Sequence, residues 1–292
     1  MREGRAGRPK GEGPLPQAGN FSVRFWGVRG SIACSGPATA RYGGNTSCLE
    51  VMCGDRRLIF DAGTGLRLLG DRLVAGNGPI EGDLFFSHTH FDHICGLPFF
   101  RPFFSPQDRY RLWAGHLLPD FTLRDVVRGM MAPPLFPVPP DIFRADMDYR
   151  DFRAGETLRP GPGIEIRTAP LNHPDRATGY RVEFAGRSLC YITDIAHTEG
   201  QRDAALVAFV AGADTMVYDC TYTDEEYPLY RDYGHSTWQE GARIADAAGV
   251  GRLVIFHHDP SHDDAFMDGV AAEAEALRPG TIVAREGMDL TP

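Results

Sequence analysis

The chain has 292 residues, 42% hydrophobic and 24% charged, with a net charge of -9. No apolar run approaches the roughly 20 residues of a membrane-spanning helix, so a helical membrane protein is excluded, and the acidic balance disfavours a protein whose main task is gripping a long nucleic-acid backbone. Six cysteines (Cys34, Cys48, Cys53, Cys95, Cys190 and Cys220) lack CxxC spacing and read as reduced, mostly buried thiols of a cytoplasmic enzyme, burial being the reading even for Cys95 and Cys220 beside candidate site residues.

Residues 1–20 are rich in Gly, Pro and Arg and lack the apolar centre of a secretory signal; they are expected to form a disordered tail before one domain over 21–292. Short β-like runs then follow at Ser22–Trp26, Ser47–Met52, Arg57–Phe60 and Asp83–Phe86, joined by Gly-rich turns. Between them, Leu66, Leu68, Leu69 and Leu73 recur at helical spacing and predict a helix over Gly65–Ala75 that covers a sheet face. From about 97 to 159 prolines break every long periodic run, which reads as a Pro- and aromatic-rich insertion; Phe103, Phe104 and Phe136 are candidate pocket walls. A second set of strands is expected at Ile164–Thr168, Gly179–Phe184, Ser188–Ile192, Thr215–Tyr218 and Arg252–Phe256. Helices over Gln201–Ala211, Ser236–Ala248 and Asp263–Leu277 alternate with the later strands, with Ser236 and Asp263 as N-caps. Two strand-rich halves with helices outside predict a sandwich of sheets whose loops gather along one edge.

The run from Ser87 to His93 packs His88, His90, Asp92 and His93 behind an apolar strand, a density that unpaired imidazoles do not justify without metal. His173, Asp194 and His257 each close a later apolar run, where strand ends can converge. Seven ligand-type side chains are too many for one tetrahedral ion and suit two divalent ions. The expected division is His88, His90 and His173 on the first, Asp92, His93 and His257 on the second, and Asp194 between them. Asp219 is the rival for the bridge, as it also ends an apolar strand. His258 is the rival of His257, because adjacent strand residues face opposite ways. His116, His197 and His262 read as surface or supporting residues, with His197 near enough to Asp194 in sequence to touch substrate.

On His88-x-His90-x-Asp92-His93, then His173, Asp194 and His257 in that order, the chain resembles the metallo-β-lactamase superfamily. Gly27-Val-Arg-Gly-Ser31, Gly44-Asn-Thr-Ser-Cys48, Asp61-Ala-Gly-Thr-Gly65 and Gly234-His-Ser-Thr237 are similar to its ribonuclease Z-like phosphodiesterase branch. The resemblance covers nearly everything after residue 20 and implies an αββα fold, two mixed β-sheets flanked by helices, with phosphodiester hydrolysis and a homodimer. A water shared by two cations, Zn first and Mn or Fe as alternatives, would lose a proton near neutral pH and attack phosphorus. Asp92 would ligate a metal and accept a hydrogen bond from that nucleophile. His235 stands where the family has a general acid, and Asp219 where it has the acid that orients that histidine, Asp here in place of Glu.

The expected substrate is a small nucleotide-type phosphodiester. The 97–159 stretch lacks the Gly- and Lys-rich arm by which ribonuclease Z holds tRNA, so tRNA 3′ processing ranks lower. Hydrolysis of an ester, thioester or lactone on the same scaffold is the alternative enzyme reading, and a noncatalytic metal-binding partner protein the alternative of another class.

Overall fold

A computed structural model describes residues 21–76 and 78–292; the expected tail over 1–20 lies outside the described residues. The first sheet has seven strands in the order β14-β1-β2-β3-β4-β5-β6, namely β1 (Phe21–Gly27), β2 (Cys48–Cys53), β3 (Arg56–Phe60), β4 (Glu81–Phe86), β5 (Arg109–Ala114), β6 (Asp146–Asp151) and β14 (Asp289–Leu290). The second is ordered β13-β12-β11-β10-β9-β8-β7, from β7 (Thr157–Gly161), β8 (Ile164–Leu171), β9 (Ala177–Phe184), β10 (Arg187–Ile192), β11 (Thr215–Asp219), β12 (Arg252–Phe256) and β13 (Ile282–Val283). Strands β3 to β6 run parallel, as do β10 to β13, while the hairpins β1–β2–β3 and β7–β8–β9–β10 are antiparallel, so both sheets are mixed.

Side-chain alternation assigns the layers. In β3 and β4, Leu58, Phe60 and Phe85 enter the core between the sheets, where they meet Tyr180, Tyr191, Val217 and Phe256. Their neighbours Ile59, Leu84 and Phe86 point the other way, onto α1 (Gly65–Val74) through Leu66 and Leu69. That double burial is why β4 reads as a continuous apolar run rather than an alternating one. On the outer face of the second sheet, Ile192, Met216 and Ile255 pack against α4 (Ala204–Val210), α6 (Trp238–Ala248) and α7 (Asp264–Leu277). The layers are therefore helix, sheet, sheet, helix, as expected.

The stretch over 97–159 is built into this fold instead of interrupting it. It supplies β5 and β6 to the first sheet and the first three residues of β7 to the second, while Pro98, Pro102 and Pro140 sit at the starts of short 3-10 turns, where a missing N–H costs nothing. Phe103 is fully buried against Phe100 and Tyr110 on the outer face of the first sheet, Phe104 packs on Phe143 and Phe136 on Phe99; none lines the cavity beside the histidines. A helix that periodicity did not reveal, α3 (Leu123–Met130), begins at a capping box in which Thr122 and Asp125 satisfy each other's backbone N–H. Asp263 caps α7 as expected, but Thr237, not Ser236, caps α6 by accepting from the Glu240 N–H at 3.0 Å. All six cysteines are free thiols; Cys48, Cys53, Cys190 and Cys220 are buried, and Cys34 and Cys95 half-buried.

His258 belongs to this framework. Its Nε2–H donates to the Ala284 carbonyl at 2.9 Å, its ring meets Tyr42 edge-on, and burial pushes its pKa down to about 3. Between that value and about 6.5 the unfolded chain binds a proton that the native ring refuses, so stability falls as pH drops through this window, by up to about 1.4 kcal/mol per pH unit from this ring. Urea midpoints between pH 7 and 4 should fall less steeply for His258→Gln than for the parent; equal slopes would refute the assignment.

Candidate metal centre

The C-terminal ends of β4, β8, β10, β11 and β12 lie along one edge of the sandwich, and each delivers a polar side chain there. His88 follows β4, His173 follows β8, Asp194 follows β10, Asp219 ends β11 and His257 follows β12. The four-residue helix α2 (Phe91–Ile94) folds back at once, which carries Asp92 and His93 to the same edge as His88 and His90. Asp194 and His257 have φ of 56° and 64°, so each strand turns sharply at the residue that enters the site. A left-handed backbone at a non-glycine residue costs about 1 kcal/mol or more and persists only where the surroundings fix it.

Donor atoms of His88, His90 and His173 lie within 4.8 Å of one another, and so do those of Asp92, His93 and His257. Asp194 stands between these groups. Its Oδ1 is 3.7 Å from His88 Nε2 and 4.0 Å from His173 Nε2, whereas its Oδ2 is 3.3 Å from His93 Nε2 and 3.4 Å from His257 Nε2. Each oxygen of one carboxylate thus faces one group. Asp219 does not reach the cluster's centre: it accepts from the N–H groups of Ile195 and Thr221, from Thr221 Oγ1 and from His235 Nδ1.

The outward nitrogens of four of the imidazoles are hydrogen-bonded. His93 Nδ1–H donates to Asp61 Oδ2 at 2.8 Å, His173 Nδ1–H to the Gly234 carbonyl at 2.7 Å, His257 Nδ1–H to Thr221 Oγ1 at 3.0 Å and His88 Nδ1–H to Ser87 Oγ at 3.1 Å. The hydroxyls of Ser87 and Thr221 pass their own protons to Asp61 and Asp219, which fixes these tautomers. Four Nε2 atoms therefore face inward, where metal ligation would use their lone pairs, and His88 Nε2 is buried there without any hydrogen-bond partner. His90 differs in turning Nδ1 inward, 3.1 Å from His173 Nε2, with its Nε2 3.5 Å from Asp175. Close approach is needed here: a Cβ on Gly30 would lie 2.4 Å from the His257 ring, and one on Gly234, at φ 86°, 2.6 Å from His173 Nδ1.

Burial and the imidazole of His93 hold His88 neutral, well below its usual pKa. Burial opposes a charge on Asp92 and on Asp194, but the rings of His93 and His257 outweigh it and keep both carboxyls ionised. Burial likewise opposes a charge on His235; the Asp219 carboxylate, 3.0 Å from its Nδ1, overcomes this and raises its pKa to about 9.

Other sequence candidates stand apart. His197 stacks on Tyr227 and bonds Ser236 Oγ, and His262 stacks on Phe266 and bonds Glu226, both away from the donor cluster. His116 is buried beside the centre, where burial pushes its pKa down to about 3. Residue-level reading missed the supports of Asp61 and Thr221. Asp61 had a signal, since it too is a carboxylate directly after an apolar strand; it accepts from the Ser87 N–H, Ser87 Oγ, Tyr191 OH and His93.

Residues 56–258 match the β-lactamase superfamily domain family. The chain belongs to that family. A ribonuclease Z of Halorubrum lacusprofundi is 27% identical over 318 aligned residues, which cover 94% of this chain and 95% of the relative. Among solved structures, the metallo-β-lactamase fold protein YhfI of Bacillus subtilis superimposes with a TM-score of 0.69 at 18% identity, covering 92% of this chain and 98% of its own. A diphosphatase of the PhnP family does so with a TM-score of 0.68 at 18% identity, covering 93% and 96%. Membership makes the chain a metallo-β-lactamase superfamily hydrolase, and the fold implies divalent metal ions. The residues fit that implication: the orphaned His88 Nε2, three further inward Nε2 atoms and ionised carboxylates form a donor set suited to Zn, Mn or Fe. Among the described residues, no helix is long and apolar enough to cross a membrane.

Proposed function

We propose that the protein is a dinuclear metal-dependent phosphodiesterase acting on a small phosphodiester. The observation that carries this reading is Asp194, whose two oxygens face two separate groups of imidazole and carboxylate donors. His88, His90 and His173 would hold one ion, Asp92, His93 and His257 the other, and Asp194 both. Two divalent ions bound there would acidify a water to a pKa near about 7 and offset the charge that grows on the phosphoryl oxygens.

The chain's own groups supply the rest. Asp92 accepts the Ser31 N–H at 2.8 Å, which orients its carboxylate toward His93 and His257 and leaves it placed to accept a hydrogen bond from the nucleophile. His235, protonated at neutral pH and held by Asp219, is placed to give a proton to a departing alkoxide. An alkoxide needs that proton; the better leaving groups of thioesters do not, and this favours diester over thioester hydrolysis.

The name of the 27%-identical relative favours a second reading, cleavage of RNA such as a tRNA precursor. Against it stand the net charge of -9 and the compact build of 97–159, which forms strands and turns rather than a projecting basic arm. Purified protein with added Zn or Mn should hydrolyse bis(p-nitrophenyl) phosphate, lose that activity to EDTA, and regain it on metal addition. Faster turnover of tRNA precursor than of any small diester would select the second reading, and inactivity on both with metal bound would discard phosphodiester hydrolysis.

A further inference from the structure

A cavity of about 670 Å3 opens beside His88 and His90, large enough for a substituent of sugar or nucleoside size. Its wall carries three carboxylates, Asp120, Asp125 and Asp175, against one guanidinium, Arg176. That guanidinium is already engaged, donating to Asp120 Oδ2 at 2.6 Å and to the Leu118 carbonyl at 3.2 Å. Asp175, whose Oδ2 lies 3.5 Å from His90 Nε2, has its side chain 90% exposed and so accessible to a ligand.

His116 adds an independent sign. It is only 5% exposed and lines the cavity, its Nε2 is 3.1 Å from Thr89 Oγ1, and its buried Nδ1 has no partner. An N–H at Nδ1 would be a buried donor without an acceptor, so the proton belongs on Nε2 and is donated to Thr89, leaving a lone pair at Nδ1. Thr89, which also lines the cavity, thereby accepts from His116 and keeps its own hydroxyl proton for another partner. The other donors on the wall are already engaged, Arg176 by Asp120 and Leu118 and His90 Nε2 facing Asp175, so three carboxylates against one guanidinium leave the wall negative, and Phe121, 61% exposed, offers a flat apolar face.

We propose that this cavity seats one alcohol arm of the diester, and that the arm carries hydrogen-bond donors, hydroxyls or an ammonium group, rather than a further phosphate. Carboxylates bind donors; a second phosphate would bring only acceptors and like charge. An aromatic face beside carboxylates suits either source, the C–H side of a polyol or a cation. The assignment rests on the phosphodiesterase reading above and adds which arm the site selects.

The test compares four p-nitrophenyl phosphodiesters that share a leaving group and differ in the other arm: methyl, glycerol, choline, and an alkyl chain ending in phosphate. The expected kcat/KM is about tenfold higher for the glycerol or choline arm than for methyl, the effect of one charge-assisted hydrogen bond, and lowest for the phosphate-ended arm. Preference for choline assigns the ammonium source, and preference for glycerol the hydroxyl source. Asp175→Asn, tolerated at φ 61°, should raise KM for the favoured ester more than kcat falls and narrow its lead over the phosphate-ended one. Equal rates for all four arms, or a preference for phosphate, overturn the proposal while leaving phosphodiester hydrolysis intact. Cleavage of p-nitrophenyl acetate with none of the four diesters cleaved overturns the reading on which it rests, and the proposal with it.

Discussion

Asp194→Ala is expected to reduce kcat/KM for any diester by more than about 1,000-fold, since the variant forfeits several kcal/mol of charge stabilisation and each 1.36 kcal/mol is a decade in rate. The argument is positional. No other described carboxylate approaches His88, His93, His173 and His257 together, at 3.3 to 4.0 Å. Without it, Asp92 is the one carboxylate left among the seven candidate ligands, and the two donor groups lose the side chain common to both. Elemental analysis should accordingly show fewer ions per chain than in the parent, with a retained circular dichroism spectrum. Full metal content together with near-parental turnover would remove Asp194 from the centre of the chemistry.

His235→Ala should lower kcat by about 100- to 10,000-fold on a diester with an alkyl leaving group, the span of general acid catalysis, and far less on a p-nitrophenyl ester whose leaving group needs no proton. The raised pKa gives the sign: a proton held up to about pH 9 is present at neutrality, so the parental kcat on the alkyl substrate falls as pH rises through that value. In the variant that alkaline limb disappears. Asp219→Asn should shift the limb to lower pH instead, because the carboxylate that raises the pKa is gone. Equal losses on both leaving groups would mean that His235 serves the architecture and not proton transfer.

The layers of the fold were legible because β1, β3, β4 and β8 to β12 carry unbroken or alternating apolar residues bounded by glycine and polar turns. The stretch 97–159 was not, because β6 (Asp-Met-Asp-Tyr-Arg-Asp) has charges on its exposed side and prolines flank its neighbours, so its pairing with β5 depends on a parallel partner far away in sequence. At the metal centre, residue type and strand-end position singled out His88 to His93, His173 and Asp194, but could not separate Asp194 from Asp219 or His257 from His258. In space the members of each pair differ in their hydrogen bonds: Asp219 is filled by His235, Thr221 and Ile195, and His258 by Ala284. Thr237 displaced Ser236 as the cap of α6 because Ser236 is taken by His197 and Tyr218.

The donor cluster draws on both halves of the sandwich, His88 to His93 from the first sheet and His173, Asp194 and His257 from the second. An ion gripped there would work as a rivet between layers that already cohere through apolar packing and through hydrogen bonds such as Tyr191 OH to Asp61 and Tyr180 OH to the Phe86 carbonyl. Metal uptake and cohesion of the layers are then one equilibrium, and an ion supplied at 100 times its dissociation constant adds about 2.7 kcal/mol to the folded state. Starvation for metal would leave the chain idle and also easier to pull open, with its sheet edges nearer to exposure.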